Sequence, residues 1–232
     1  MSKLIIEEHE LPYQVAEQIK TLRTNLTLSG DNMHYFMVTS CLANEGKSSI
    51  CYELTRSFAD LGKTAVYIDT DLRKSVFHRR VKEGKIANGL TNYLAGQCNL
   101  EDILYYTQDQ NVSVIPAGPV PPNPSELLAS GRFASLMTAL KKVFDYIVVD
   151  TSPLGMVIDS AIVAKNCDGS VLIIESGTIS YRLAQEIKGR LEKTSVPILG
   201  VVLNKVDRKD GSRYYKYGSG KYYDKRYYDY YY

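Results

Sequence analysis

The sequence predicts an α/β fold in which helices flank both faces of a mostly parallel sheet. The main observation is that short apolar runs alternate with longer segments of 3.6-residue periodicity. The chain has 232 residues, 44% of them hydrophobic, so it can bury one sizeable core. The last two dozen residues contain almost nothing aliphatic, which leaves about 205 residues for that core. One α/β domain suits this length better than two.

Six apolar runs are predicted to be strands, and several are nearly continuous in Val, Ile and Leu, as strands buried on both faces require. The predicted strands are residues 35–39, 65–69, 112–115, 146–150, 170–174 and 198–203.

Four segments are predicted to be helices. Residues 12–28 carry an apolar stripe that precedes the first strand, and a second stripe from Ile50 to Leu61 ends at Gly62, a C-cap residue. The prolines of AGPVPPNP predict a helix start at Ser125 and a helix over 125–143. The fourth helix is expected over 182–193.

Composition and charge exclude several classes of protein. The formal net charge is +2, of which +3 falls from Arg213 onward, so the body gives no electrostatic reason to bind nucleic acid. The N-terminus is acidic where a signal peptide would be basic, and no run approaches the roughly 18 apolar residues of a membrane span. We therefore expect a cytoplasmic protein without a disulfide framework or zinc site. The four cysteines are scattered, at Cys41, Cys51, Cys98 and Cys167.

The segment 39–49 connects a predicted strand to a predicted helix and contains Gly46-Lys47-Ser48, the core of a P-loop. Glycine lets backbone N–H groups approach phosphates, lysine reaches the terminal phosphates, and the serine hydroxyl can bind Mg²⁺. The helix N-terminus adds partial positive charge. The common P-loop pattern has glycine at position 41, where this chain has Cys41.

Two further strands end in carboxylates. Asp69 and Asp71 follow one strand, and Asp150 ends another. Because ligands bind at the carboxyl ends of strands in an open parallel sheet, all three should converge with the P-loop. A cation cradle, hard oxygen ligands and an acidic acceptor are what phosphoryl transfer needs.

The C-terminal segment is a cluster of phenols. Ten of the last nineteen residues are tyrosines: Tyr214, Tyr215, Tyr217, Tyr222, Tyr223, Tyr227, Tyr228, Tyr230, Tyr231 and Tyr232. The segment lacks Leu, Ile, Val and Ala, so we expect it to be disordered before modification. The tyrosine hydroxyls can accept phosphoryl groups, and they are tethered to a predicted phosphate-binding site. This combination indicates a kinase that phosphorylates copies of itself.

These motifs resemble the bacterial tyrosine kinases of capsule and exopolysaccharide synthesis. The family's P-loop begins with serine and ends Glu-Gly-Lys-Ser, which Ser40 and residues 45–48 match, and its second motif resembles Asp69-Thr-Asp71-Leu-Arg73. The resemblance implies a P-loop NTPase-like fold and use of ATP with Mg²⁺. The implied nucleotide contacts are Asn44, Glu45, Gly46, Lys47, Ser48, Ser49 and Asn204. The implied metal ligands are Ser48, Asp71 and Asp150, and the implied catalytic residues are Lys47, Asp69, Asp71 and Asp150.

The resemblance also implies partners and a division of the chain. The family's ring-forming Glu-x-x-Arg-x-x-Arg motif corresponds to Glu17, Lys20 and Arg23, with lysine at the middle position. A homo-oligomeric ring, a transmembrane polysaccharide co-polymerase as activator and a cognate tyrosine phosphatase are expected, with recruitment to the inner face of the membrane. Residues 1–30 would be the oligomerisation region of the domain, 31–208 the kinase core and 209–232 the autophosphorylated tail.

Three other functions fit parts of the sequence. Asn204-Lys205-Val-Asp207 resembles a guanine-reading motif, although tyrosine-kinase relatives also have asparagine beside the adenine pocket. An ATP-dependent partitioning or positioning protein shares the fold, but it would have an extra lysine where this chain has Leu42. The basic aromatic tail could also stack on single-stranded nucleic acid.

Overall fold

The computed structural model describes residues 2–7, 10–194 and 196–206. Its centre is a seven-stranded sheet. The strands are β2 (Tyr35–Ser40), β3 (Ala65–Asp69), β5 (Tyr105–Tyr106), β6 (Val112–Ile115), β7 (Tyr146–Asp150), β8 (Gly169–Glu175) and β9 (Ile198–Asn204). Their spatial order is β5-β6-β3-β7-β2-β8-β9, and all neighbours are parallel except the pair β5–β6 at one side of the sheet. A separate antiparallel pair joins β1 (Ile5–Ile6) to β4 (Val81–Glu83).

Seven α-helices surround the sheet in the described part of the chain. They are α1 (Tyr13–Thr27), α2 (Lys47–Ala59), α3 (Leu90–Leu94), α4 (Pro124–Leu128), α5 (Gly131–Leu140), α6 (Asp159–Ala164) and α7 (Tyr181–Glu192). None of the described helices is long and apolar enough to cross a bilayer.

The predicted fold class is confirmed, and all six predicted strands are present within one residue of their expected ends. The predicted helix over 125–143 is wrong as a single element, because it breaks between α4 and α5. Ser130 is extended (φ −69°, ψ 153°), and its hydroxyl donates to the carbonyl of Leu127 at 2.6 Å. The break re-aims α5 so that Phe133 and Leu136 are fully buried.

Each face of the sheet has its own apolar core. On the face covered by α2, the rings of Phe58 and Tyr146 stack with centroids 3.9 Å apart, and Phe36 stacks beside them. The opposite face packs against α5, with Phe133 and Leu136 among its buried side chains. Helices therefore cover both faces, as the long apolar strands require.

Three adjacent strands in the middle of the sheet, β3, β7 and β2, end at the same edge. The parallel register places Asp69 at the end of β3 directly beside Asp150 at the end of β7. The segment that follows β2 leads into α2. Strand order alone therefore brings the P-loop and the two carboxylate segments together.

Candidate active site

The P-loop closes onto the last strand of the sheet. Gly46 has a left-handed backbone (φ +85°) immediately before α2 starts at Lys47. A Cβ at this glycine would lie 2.1 Å from Nδ2 of Asn204, and that amide donates to the carbonyl of Glu45 at 2.9 Å. Only glycine therefore fits both the backbone angle and the packing at this position.

Glu45 braces the loop from inside. Its side chain is buried, with Oε2 accepting from the Leu42 amide at 2.7 Å and Oε1 from the Glu175 amide at 3.1 Å. The carboxylate thus ties the loop to itself and to β8. A nucleotide contact from Glu45 remains a prediction, and its side chain already satisfies these two amides.

The start of the P-loop is tightly packed although it lacks the usual glycine. Cys41 is fully buried, and a Cβ at Gly155 would lie 2.1 Å from the Cys41 carbonyl oxygen. Burial, and to a smaller extent Glu45, raises the pKa of the Cys41 thiol to about 11. The thiol is therefore neutral and acts as a small packing group.

Lys47 and Asp150 form a buried ion pair with Nζ 2.7 Å from Oδ1. Burial by itself would lower the pKa of Lys47, but the adjacent Asp150 carboxylate raises it above its ordinary value, so the ammonium stays charged. The other carboxylate oxygen accepts from the hydroxyl of Tyr67 at 2.8 Å. Burial and the Asp150 charge raise the pKa of Tyr67, which keeps this hydroxyl a donor.

Asp69 lies beside this pair and is also buried. Its Oδ2 accepts from the Ser75 hydroxyl at 2.5 Å and its Oδ1 from the Asp71 amide at 3.0 Å. Burial is the main cause, and the neighbouring Asp150 the second, of a pKa raised to about 8. A carboxyl group with this pKa holds a proton more strongly than an ordinary aspartate, and its conjugate base is correspondingly stronger.

Asp71 is less buried and points along the same edge. Its Oδ1 accepts from the Ser152 hydroxyl at 2.8 Å and from the Lys74 amide at 3.1 Å. Ser152 follows Asp150, so this bond connects the two acidic segments. On the P-loop side, Ser48 lies next to Lys47, with its hydroxyl oxygen 3.4 Å from Nζ.

The sequence did not single out the network that anchors the loop after β3. Arg73 holds the buried carboxylate of Asp159 through Nε at 2.6 Å and through a terminal nitrogen at 3.2 Å. Ser125, at the start of α4, accepts from Arg73 at 2.9 Å and donates to Asp159 at 2.6 Å. The only sequence signals were the position of Arg73 in the Asp-x-Asp-x-Arg motif and of Ser125 in PNPSELL.

The remaining predicted nucleotide contacts, Asn44 and Ser49, belong to the P-loop segment itself. The Ser49 hydroxyl accepts from Arg80 at 2.5 Å. Asn44 has a left-handed backbone (φ +66°), and its carbonyl accepts from Lys205 at 2.7 Å, while the same ammonium pairs with Glu175. Asp207, the last residue of the guanine-type motif, lies outside the described residues.

The three residues predicted to make the oligomer contact are Glu17, Lys20 and Arg23, and not all of them face solvent. Lys20 pairs with Glu17 at 2.7 Å on the exposed side of α1. Arg23 instead turns toward α2, where it donates to the carbonyl of Ser57 at 2.7 Å. A role in self-assembly stays a prediction, and Arg23 has an intramolecular partner. The ten tail tyrosines lie outside the described residues.

The oxygen donors at this edge fit a magnesium ion that shares its coordination with phosphate. Among the described residues, no group of three or more His, Cys, Asp or Glu side chains could hold a metal by itself. Mg²⁺ in phosphoryl-transfer sites is bound through one or two carboxylates, waters and the substrate's own phosphates. That Ser48, Asp71 and Asp150 supply the protein share of such a set stays a prediction.

The parallel sheet and the P-loop define a nucleotide-dependent enzyme of the P-loop class. Within that class, this site has two acidic strand ends, Asp69 and Asp150, beside the phosphate loop. A family model described as an AAA domain matches residues 43–187. Tyrosine-protein kinase CpsD of Streptococcus pneumoniae is 40% identical over 209 residues, covering 89% of this chain and 92% of that protein. The chain belongs to this family of bacterial tyrosine-protein kinases.

Solved structures share the fold of this chain. The crystal structure of the chimerical protein CapA2B2 matches with a TM-score of 0.81 and 27% identity, covering 90% of this chain and 95% of that one. The septum site-determining protein MinD from Pyrococcus horikoshii, complexed with Mg-ADP, matches less closely, with a TM-score of 0.63 and 21% identity over 76% of this chain and 72% of that one. The MinD match shows a shared fold.

Proposed function

We propose that this chain is an ATP- and Mg²⁺-dependent protein-tyrosine autokinase that phosphorylates its own C-terminal tyrosines. One observation supports this most: a buried cation, Lys47, and a buried carboxyl group with a raised pKa, Asp69, face the same strand-end carboxylate. Phosphoryl transfer to tyrosine needs a cation that binds the phosphates and, beside it, a group that accepts the phenolic proton.

In this proposal the P-loop residues 44–49 cradle the phosphates, and Asn204 borders the base. Lys47 polarises the terminal phosphates. To do so, its ammonium must give up part of its contact with Asp150 and bind the phosphates instead. Ser48, Asp71 and Asp150 would hold Mg²⁺, which neutralises developing charge on the phosphates when bound.

Transfer forms one bond and breaks one. The tyrosine oxygen attacks the γ-phosphorus, the bond from that phosphorus to the β–γ bridging oxygen breaks, and ADP leaves. Asp69, in its ionised form, takes the phenolic proton. A tyrosine with an ordinary pKa near 10 is almost entirely protonated at neutral pH, so such an acceptor is needed.

The acceptors are the tyrosines of residues 209–232, modified between neighbouring copies in a ring. An extended chain covers about 3.3 Å per residue, so this segment can span roughly 80 Å. The proposed activator is a transmembrane polysaccharide co-polymerase that recruits the kinase to the inner face of the membrane. A cognate phosphatase reverses the modification, and the cycle regulates capsule or exopolysaccharide synthesis.

A second candidate is an ATP-driven positioning switch without kinase activity, a class of protein that shares this fold. The two functions separate in one assay. The purified chain is incubated with Mg²⁺ and either ATP or GTP, alone and with the activator's cytoplasmic segment, and released phosphate and phosphotyrosine are both measured. The autokinase predicts ATP-dependent phosphotyrosine that Lys47→Met abolishes. Hydrolysis without phosphotyrosine would instead identify a switch.

A further inference from the structure

A basic cleft opens beside the proposed acceptor carboxyl. It has a volume of about 410 Å³ and lies where the segments following β3 and β6 leave the sheet. Its walls combine Leu72 and Ile86 with the segment 116–119. Ser75 is one of its lining residues, and its hydroxyl donates to Asp69 at 2.5 Å. Ser75 therefore links the cleft to the proposed site of proton transfer, which is itself buried.

The charge in this cleft has one sign. Among its lining residues, all of which belong to the described part of the chain, Arg73, Lys74 and His78 are the ionisable side chains and no Asp or Glu occurs. Arg73 is held by Asp159, whereas the side chains of Lys74 and His78 are exposed to solvent. An entering segment therefore meets an apolar wall with a basic rim.

The shape of the cleft is fixed by backbone contact. A Cβ at Gly89 would lie 2.3 Å from the Gly118 nitrogen, and the amides of Leu90 and Thr91 each donate at 2.8 Å, to the carbonyls of Pro116 and Ala117. A preformed apolar wall is suited to a flat phenol ring, because a rigid site loses little entropy when it is filled.

We propose that this cleft docks the acceptor tyrosine and selects tyrosines that have an acidic neighbour; the inference rests on the proposed autokinase function. The tail offers both kinds of sequence context. Tyr230 adjoins Asp229 and has no basic residue within three positions, whereas Tyr214 and Tyr215 lie between Arg213 and Lys216. The basic rim attracts the first context and repels the second. Exposed ion pairs of this kind change binding by about two- to fivefold.

The test follows the order of modification in a mass-labelled full-length Lys47→Met acceptor, which cannot phosphorylate itself. An unlabelled donor with an active site is added with ATP, Mg²⁺ and the activator's cytoplasmic segment, and each tyrosine is followed by mass spectrometry. We expect Tyr230 to be modified about two- to fivefold faster than Tyr214 and Tyr215. The Lys74→Glu donor should remove or reverse this ratio.

The matched control is Lys142→Glu, which makes the same charge change. Lys142 lies between α5 and the start of β7, near the amino ends of the strands, whereas the cleft lies at their carboxyl ends. It should leave the ratio unchanged. An acceptor with Asp229→Lys should be modified slowly at Tyr230 by the original donor and faster by the Lys74→Glu donor. Equal rates for all tyrosines, or a ratio that Lys74→Glu leaves unchanged, would overturn the docking assignment.

Binding provides a readout that needs no transfer. A synthetic peptide of residues 221–232 is titrated into the Lys47→Met chain, beside a peptide in which both aspartates are asparagine. The cleft predicts about two- to fivefold weaker binding of the asparagine peptide, and no such difference with Lys74→Glu. Identical affinities would contradict the docking assignment even if the kinase proved inactive. Absence of all phosphotyrosine, by contrast, would count against the proposed function.

Discussion

At the scale of single residues, Gly46 combines two constraints that no other residue type meets. Its backbone is left-handed, and an added Cβ would collide with the Asn204 amide. We predict that Gly46→Ala lowers nucleotide affinity at least about tenfold, equivalent to 1.4 kcal/mol, because the loop must shift to relieve the collision. Nucleotide titration by calorimetry measures this effect.

Gly62 provides the matched control. It has a similar backbone angle (φ +74°), but nothing lies within 4 Å of the position that its Cβ would take. Gly62→Ala should therefore cost about 1–2 kcal/mol of unfolding free energy from backbone strain and leave nucleotide affinity unchanged. Equal affinities for the Gly46 and Gly62 variants would contradict this explanation of the P-loop.

Asp69 should make the stability of the nucleotide-free protein depend on pH. Its pKa is about 8 in the folded chain and near the ordinary 3.8 when unfolded, so the folded state binds the extra proton between these values. Its stabilising contribution is complete below about pH 4 and is lost as pH rises toward 8. The steepest slope is about 1.4 kcal/mol per pH unit for one proton.

The measurement is urea denaturation from pH 5 to pH 8 without nucleotide or Mg²⁺. Because other groups also titrate, the informative quantity is the difference between the original chain and Asp69→Asn. The variant should lose less stability over this range, since its amide does not titrate. Parallel pH profiles for the two proteins would contradict the raised pKa.

At the scale of elements, the loop after β3 depends on two helices far away in sequence. Arg73 binds Asp159 on α6, and Ser125 on α4 completes the network. We predict that Arg73→Ala costs about 1–3 kcal/mol of unfolding free energy, because it leaves the buried Asp159 carboxylate without its charged partner. The rate of tyrosine phosphorylation should also fall, since Asp71 belongs to the same loop.

Arg73→Lys separates charge from geometry. Lysine keeps the positive charge but cannot reproduce the two-nitrogen contact with the carboxylate. We expect this variant to recover part of the stability and less of the phosphorylation rate, as measured by thermal denaturation and single-turnover kinetics. Full recovery of both by lysine would show that the fork geometry is unimportant.

The long elements of this fold were predictable and the short ones were not. β3 and β7 consist of continuous apolar residues ending in aspartate, a pattern that identifies both the strand and its functional end. β1 and β5 have only two residues each, too few to produce a periodic signal. The break at Ser130 depends on how α5 packs against the sheet, which local sequence does not reveal.

The same division holds for the site. The motifs identified Lys47, Asp69 and Asp150, because strand order in a parallel sheet brings the strand ends together. The Tyr67 hydroxyl and the Arg73–Asp159 pair were not predicted, since they depend on contacts between residues more than eighty positions apart. Sequence also could not show that the carboxylate of Glu45 accepts from the amides of Leu42 in its own loop and Glu175 on β8.

At the scale of the whole molecule, phosphorylation would reverse the charge of the tail. From Arg213 onward its formal charge is +3, and ten phosphates at about −1.5 each would change it to about −12. We predict that phosphorylation loosens self-association, because neighbouring tails then repel each other. Light scattering on modified and unmodified protein at equal concentration measures this, and an unchanged mass would contradict the prediction.

The central claim is that the edge carrying Lys47 and Asp69 transfers the γ-phosphoryl group of ATP to the tail tyrosines. The most direct measurement is mass spectrometry of the intact chain after incubation with ATP, Mg²⁺ and the activator's cytoplasmic segment, beside Lys47→Met and Asp69→Asn. We predict multiple phosphates in residues 214–232 of the original chain and almost none in either variant. Nucleotide turnover with an unmodified tail, or equal modification of all three proteins, would contradict it.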